Sequence, residues 1–205
     1  MNLKKQAWYL ISLIVLLYIS VIIAFFLNGV TSVFDYFVRL GVLLGFTSLF
    51  LASVTAPFMK ELYQLFGKPF VKIHHVFSIV GLVLITSHPI AYAIQTTDIT
   101  VFIPDFTSWQ AFWDLAGRPA LYIFYVAVLA TIIRTYLPSK LWRGLHGLNY
   151  IALIFAYFHG VLIGHDFQNL FIMILFTGMF ITILEVLIYR RYQKYKLKSK
   201  RRANS

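Results

Sequence analysis

Cysteine is absent from the chain. That excludes a disulfide framework, a thiolate metal centre, an iron–sulfur cluster and a thiol nucleophile. Charge is scarce as well: 12% of the 205 residues are charged, against about 25% in an average soluble domain. Hydrophobic residues make up 60%, so the chain reads as an integral membrane protein with no room for a soluble domain of useful size. Internal repeats and low-complexity linkers are not visible. The net charge of +11 points to nucleic acid only until the charges are located. Eight of the basic residues lie between Arg190 and Arg202, with no acid among them. A basic run beside a membrane segment contacts anionic lipid headgroups, so membrane lipid is the expected partner and nucleic acid is not.

Six apolar segments are legible, roughly Trp8–Leu27, Phe37–Phe58, Ile73–Ile94, Pro119–Leu137, Leu145–Ile163 and Leu170–Tyr189. Each approaches the ~20 residues that span a bilayer as a helix. Lys4 and Lys5 ahead of the first segment resemble a signal peptide. The apolar stretch is longer than the usual 7–15 residues and no Ala-x-Ala site follows, so a retained helix is expected. With the N-terminus cytoplasmic, the inner side collects Lys4, Lys5, Lys60, Lys68, Lys72, Arg134, Lys140, Arg143 and the eight tail residues, 16 of the 18 Lys and Arg. The outer side keeps Arg39 and Arg118 with Asp35, Asp98, Asp105, Asp114 and Asp166. The positive-inside rule thus predicts an all-α, six-helix protein of the cell membrane with both termini cytoplasmic. Residues 1–189 form the membrane domain and 190–205 a basic cytoplasmic tail.

Histidines carry the chemistry. His74 and His88 share the third segment and His146 and His159 the fifth, 14 and 13 residues apart. At about 1.5 Å rise per residue, each pair is separated by roughly 20 Å along its helix. Both helices run from inside to outside, so His74 matches His146 in depth and His88 matches His159. Opposed imidazoles are the ligands that grip a haem b iron from both sides, and intramembrane ionisable residues are a functional signal by default. The expected cofactors are two b-type haems, inner and outer. Fourteen residues return a helix to nearly the same face, and Gly81 halfway along it is expected to admit a bulky ring. Thirteen residues do not, so the fifth helix needs a bulge, a rotation or haems at different azimuths. His75 lies 13 residues before His88 and is the alternative to His74. His165 reads as a solvated loop residue.

The pattern resembles the ferric reductase-like transmembrane domain family, which includes ferric reductases, NADPH oxidases and the haem-binding subunit of the methionine sulfoxide reductase system. The resemblance rests on Ile73-His74-His75 with His88, on Trp142-Arg143-Gly144-Leu145-His146-Gly147-Leu148-Asn149-Tyr150, on Phe158-His159-Gly160 through Gly164-His165-Asp166, and on Arg134. It implies haem ligation by His74, His88, His146 and His159. It further implies electron flow from a cytoplasmic flavin to an external acceptor, which makes the chain an oxidoreductase component. Family members commonly carry a flavin and nicotinamide domain after the last helix. No Gly-rich nucleotide loop follows Tyr189 here, so the donor is expected to be a flavin reductase, reduced flavin or another electron donor. The acceptor stays open among ferric chelate, oxygen, quinone and a partner protein.

Cations near the interface are candidates to balance haem propionates: Lys72, Arg134, Lys140 and Arg143 inside, Arg39 or Arg118 outside. Glu185 is expected to pair with a nearby cation. The loop from Thr96 to Arg118, with Trp109, Phe112 and Trp113, is expected to lie in the membrane interface or to shield the outer haem. Two other readings remain: a quinol-linked cytochrome b subunit of another redox enzyme, and a transporter or structural membrane protein without haem.

Overall fold

The computed structural model describes residues 5–67 and 70–203. Lys4 and Lys68 of the charge pattern lie outside the described residues, as do the side chains of Lys194, Lys198, Lys200, Arg201 and Arg202. The described chain is all-helical. Helix α1 covers Lys5–Leu27, and a π-helical turn at Tyr36–Leu40 runs into α2, Gly41–Thr55. A 3₁₀ turn at Ala56–Phe58 leads to the short α3, Met59–Phe66, and then α4, Val71–Thr96. Helix α5, Trp109–Asp114, precedes α6, Gly117–Ile132. Ile99–Phe102 is also a 3₁₀ turn, and a third, Arg134–Tyr136, leads to α7, Ser139–Gly147, and α8, Asn149–Ile163. A 3₁₀ turn at His165–Gln168 joins α8 to α9, Leu170–Ala203.

Five helical runs are long and apolar enough to cross a membrane: Lys5–Leu27, Tyr36–Phe66, Val71–Thr96, Ser139–Ile163 and Leu170–Gln193. The chain is a multi-pass membrane protein on this ground. The fourth sequence segment is cut short. Helix α6 has 16 residues, or about 24 Å at 1.5 Å each, less than the ~30 Å of hydrocarbon. It ends at Ile132, and the 3₁₀ turn of Arg134–Tyr136 takes up the rest of that segment.

Helix α2 is the axis of the bundle. About half of its run is buried (56%), against 11% for α4 and for the α7–α8 run. Phe25 of α1, Leu153 of α8, and Ile172, Phe176 and Ile183 of α9 complete the core around it. Lipid tails are as apolar as leucine, so helices in a bilayer associate through close packing and small residues. Gly45 and Gly81 supply that contact. A Cβ on Gly45 would stand 2.8 Å from Ile85 Cγ2 and 3.0 Å from the Ile85 nitrogen, and one on Gly81 would stand 2.7 Å from Leu49. Gly81 therefore admits α2 and not a flat ring, which corrects the sequence reading. Polar side chains inside the helices are satisfied locally. Thr47, Ser48 and Thr55 donate to the carbonyls of Leu43, Leu44 and Leu51, and the Tyr18 hydroxyl meets Ser48 Oγ at 2.7 Å.

A repeat that the sequence does not display is present in the fold. In each half an apolar helix opening on glycine (α2 from Gly41, α6 from Gly117) is followed by a 3₁₀ turn, a short amphipathic helix and a histidine-bearing helix. In the second half the last two elements fuse almost end to end, with Leu148 between them.

Gly45→Ala is expected to destabilise the protein by about 1–3 kcal/mol, the usual cost of overpacking a tight contact. Gly144→Ala, where a Cβ meets nothing within 4 Å, is expected to match the wild type or exceed it slightly. Thermal unfolding in detergent compares the two.

Candidate functional site

The four histidines fall into the two expected groups. His88 and His159 face each other, with ring centroids 6.4 Å apart and planes crossed at 72°. His88 Nδ1 donates to the Val38 carbonyl at 2.5 Å, and His159 Nδ1 donates to the Asp114 carbonyl at 2.6 Å. Neither carbonyl sits in an ordinary helical turn. Val38 lies in the π-helical turn and Asp114 is the last residue of α5. Each stands just before the glycine that opens the next helix, Gly41 or Gly117, so the same device occurs in both halves of the fold.

At the other end of the bundle, which carries most of the described basic residues, His74 Nδ1 donates to the Ala52 carbonyl at 3.0 Å. Ala52 lies in the last turn of α2, where carbonyls lack helical partners. His146 Nδ1 lies 3.0 Å from the Thr131 hydroxyl, which itself donates to the Ala127 carbonyl at 3.0 Å. His146 lies within electrostatic reach of both His74 and His75. What separates those two is anchoring. His74 is half-buried and bonded to α2, whereas His75 is exposed. His165 is exposed in the turn after α8.

The helix between His146 and His159 is not a uniform α-helix. The run breaks at Leu148, whose backbone N–H tightens onto Leu145 at 3.0 Å. Asn149 Nδ2 donates to the loosened His146 carbonyl at 2.9 Å.

The partners fix the chemistry of the rings. A carbonyl only accepts. His74, His88 and His159 therefore carry the proton on Nδ1 and keep the Nε2 lone pair for another group, while His146 Nδ1 lies between the Thr131 hydroxyl at 3.0 Å and the Asn149 amide nitrogen at 3.4 Å. A backbone or hydroxyl acceptor on the far nitrogen is the usual second shell of a metal-bound imidazole. Two metal–nitrogen bonds of about 2 Å, plus the ring radius on each side, put opposed ring centres about 6 Å apart, and the outer pair stands at 6.4 Å. Among the described residues no three His, Cys, Asp or Glu side chains converge on a metal site. Two opposed imidazoles at this spacing could hold a metal ion that brings its other ligands with it.

Some site residues were not legible in the sequence. Gly117 lies against the His159 ring, where a Cβ would stand 2.6 Å from Cδ2. Trp142 stacks on His146, centroids 5.9 Å apart and planes 16° apart, and its buried indole N–H has no partner among the described residues. Arg190 lies within electrostatic reach of His146. Helix α5 covers α8: Trp113 meets Phe155 and Phe158 with ring centroids at 5.5 and 5.3 Å. Its other side, with Trp109 77% exposed, faces outward, so this loop both shields and presents an interfacial surface.

Two charged residues depart from expectation. Arg39 is already engaged. Its Nε and Nη2 grip Asp166 at 3.0 and 2.6 Å, and Nη1 donates to the Gly29 carbonyl at 2.9 Å, with Asp35 at 3.4 Å. The guanidinium ties the end of α1 and the π-turn to the α8–α9 turn, and its donors are taken up by Asp166, Gly29 and Asp35. Burial alone raises the Asp35 pKa, but donors from Thr31, Ser32 and Arg39 outweigh it and hold the carboxylate below its ordinary value. Glu185 is exposed and makes no ion pair among the described residues. Arg118 bonds the Thr100 and Ile103 carbonyls, while Arg143 touches only Ser139 among them, at 3.1 Å.

Comparison with protein-family models, curated proteins and solved structures found no match.

Asp166→Ala removes two charge-assisted hydrogen bonds from Arg39, which keeps Asp35 and the Gly29 carbonyl; it is expected to cost about 1–3 kcal/mol, and Arg39→Leu with Asp166→Leu is expected to recover part of it. The depressed Asp35 group contributes stability that is complete above the unfolded carboxylate pKa of about 3.9 and is lost as pH falls below it. Thermal unfolding of wild type and variants from pH 7 to pH 3 measures both effects.

Proposed function

We propose that this chain is a membrane cytochrome of the ferric reductase-like kind, carrying electrons across the cell membrane through two b-type haems. The observation that supports it most is that His74, His88, His146 and His159 are each anchored through Nδ1, with the outer two rings facing each other at 6.4 Å, an arrangement that would leave Nε2 for iron. In this reading α6 completes a six-helix bundle despite its length, its turn of Arg134–Tyr136 reaching the interface. The basic end, with both termini, faces the cytoplasm.

Bound haem supplies one-electron ferric–ferrous chemistry; the protein fixes its ligands, depth and dielectric. The outer group is held by His88 and His159 and the inner by His74 and His146. Carbonyls of Val38, Asp114 and Ala52, with the Thr131 hydroxyl, keep each ring in the binding tautomer and orientation. Arg143 and Arg190 balance inner propionates, and the Trp142 N–H offers them a further donor. Helix α5 screens the outer pair from water. The basic face attracts an anionic donor such as reduced flavin or a flavin reductase, an attraction that weakens with salt. The acceptor lies on the opposite side and belongs to the class of ferric chelates, oxygen, quinones or partner redox proteins.

Purified protein is expected to carry about two haems per chain in a pyridine haemochrome assay, fully extractable because no cysteine can hold them. His88→Ala and His159→Ala should each remove the outer haem; His74→Ala and His146→Ala should each remove the inner, and His75→Ala neither. Reduced flavin with a flavin reductase should reduce the haems where NADPH alone does not. Protein free of haem from haem-sufficient cells would sink the reading.

Thr131→Val removes the acceptor that orients His146. Inner-haem affinity is expected to fall about 10–100-fold, the usual effect of losing a second-shell partner, with Thr131→Ser close to wild type. Haem titration of the apoprotein measures it.

A further inference from the structure

The outer imidazoles are held from more than one side. His88 is fixed by the Val38 carbonyl and His159 by the Asp114 carbonyl, but one hydrogen bond leaves a ring free to swing about it. Gly117 removes that freedom. A Cβ built there lies 2.6 Å from His159 Cδ2, 3.0 Å from Cγ and 2.9 Å from Nε2. Distances to both neighbours of Cδ2 that exceed the Cδ2 distance by only 0.3–0.4 Å (2.9 and 3.0 against 2.6 Å) put that point above the face of the ring, since an approach from beyond the edge would lengthen both much more. The imidazole therefore lies flat against the Gly117 backbone. Asp114 and Gly117 belong to the same short stretch between α5 and α6, so one segment fixes both the tilt and the rotation of the ring. The outcome is a pair of ring planes crossed at 72°.

We propose that Gly117 is a positioning residue for the outer haem, and that with the Asp114 carbonyl it holds the axial imidazole of His159 crossed to that of His88. This rests on the haem reading of the site. Ligand-plane orientation has an electronic consequence. Parallel imidazoles split the iron dxz and dyz orbitals widely and give a rhombic low-spin ferric signal. Crossed imidazoles nearly equalise the two orbitals and give a strongly anisotropic signal with one very large g value. A methyl group at residue 117 overlaps the ring face, so the ring must rotate or withdraw. That breaks the Asp114 bond or draws Nε2 off the iron.

The test is electron paramagnetic resonance of the ferric protein in detergent. His146→Ala isolates the outer centre. Its signal is expected to be of the strongly anisotropic low-spin type. Adding Gly117→Ala is expected to convert it to a rhombic low-spin or a high-spin signal, while the inner signal in full-length Gly117→Ala protein stays unchanged. Gly178→Ala, where a Cβ meets nothing within 4 Å, should leave both signals alone. A rhombic outer signal in protein with native Gly117 overturns the proposal by itself, whether or not the alanine variant folds. An anisotropic signal unmoved by Gly117→Ala overturns it as well. Wild-type protein without haem absorbance refutes instead the function on which the proposal rests.

Discussion

An imidazole inside a bilayer has two nitrogens to satisfy and no water to do it with. That constraint organises this molecule. Regular helices engage one lone pair of each carbonyl with their own ladder, so an acceptor for an Nδ1–H arriving from another helix is most accessible where that ladder is interrupted. The fold supplies one interruption per histidine. A π-turn exposes Val38, the end of α5 exposes Asp114, the last turn of α2 exposes Ala52, and near the end of α6 the Thr131 hydroxyl relays the Ala127 carbonyl. Pro57 extends the pattern. It has no N–H to return to Ser53, and the Tyr150 hydroxyl of α8 donates to that carbonyl at 3.4 Å. Features that would count as defects in isolated helices are the anchors of the site.

The sequence exposed the part of this design that is written in side chains. Hydropathy located the five long runs, and histidine spacing paired His88 with His159 by depth alone. What it could not expose is written in the backbone. Carbonyl acceptors have no residue signature, so Val38 and Asp114 were invisible although they decide the tautomer. Gly81 lay on the histidine face in the helical wheel, but that face is turned to α2, because the histidines point their Nδ1 atoms there too. Arg39 looked like an outer counter-ion until its partner Asp166, 127 positions away, was brought beside it. The 13-residue interval conflicted with a straight helix, and the conflict marked a real break at Leu148.

The two ends of the bundle are built to different standards. Both acidic-end histidines bond backbone carbonyls, which no substitution removes, and they sit close to the Arg39–Asp166 clasp. The basic end relies on one carbonyl and one side-chain hydroxyl, with an indole stacked on His146 whose own N–H has no partner among the described residues. A buried unpaired donor costs free energy unless something arrives to accept from it. Together with the cations Arg143 and Arg190, this makes the basic end the more adaptable one, as the proposed docking of an electron donor there would require.

Burial divides the bundle in the same sense. Helix α2 is enclosed, while α4 and the α7–α8 run are covered by protein over only 11% of their apolar windows. Helices so lightly covered must complete their surroundings with lipid or with a bound group. The four anchored imidazoles lie on these two runs, and their Nδ1 atoms point back to α2, α5 and α6. Their lone pairs therefore look away from the elements that hold them. The proposed haems would answer to that arrangement: an apolar macrocycle with polar edges would cover exposed hydrocarbon and take the lone pairs, with the peptide backbone already satisfied.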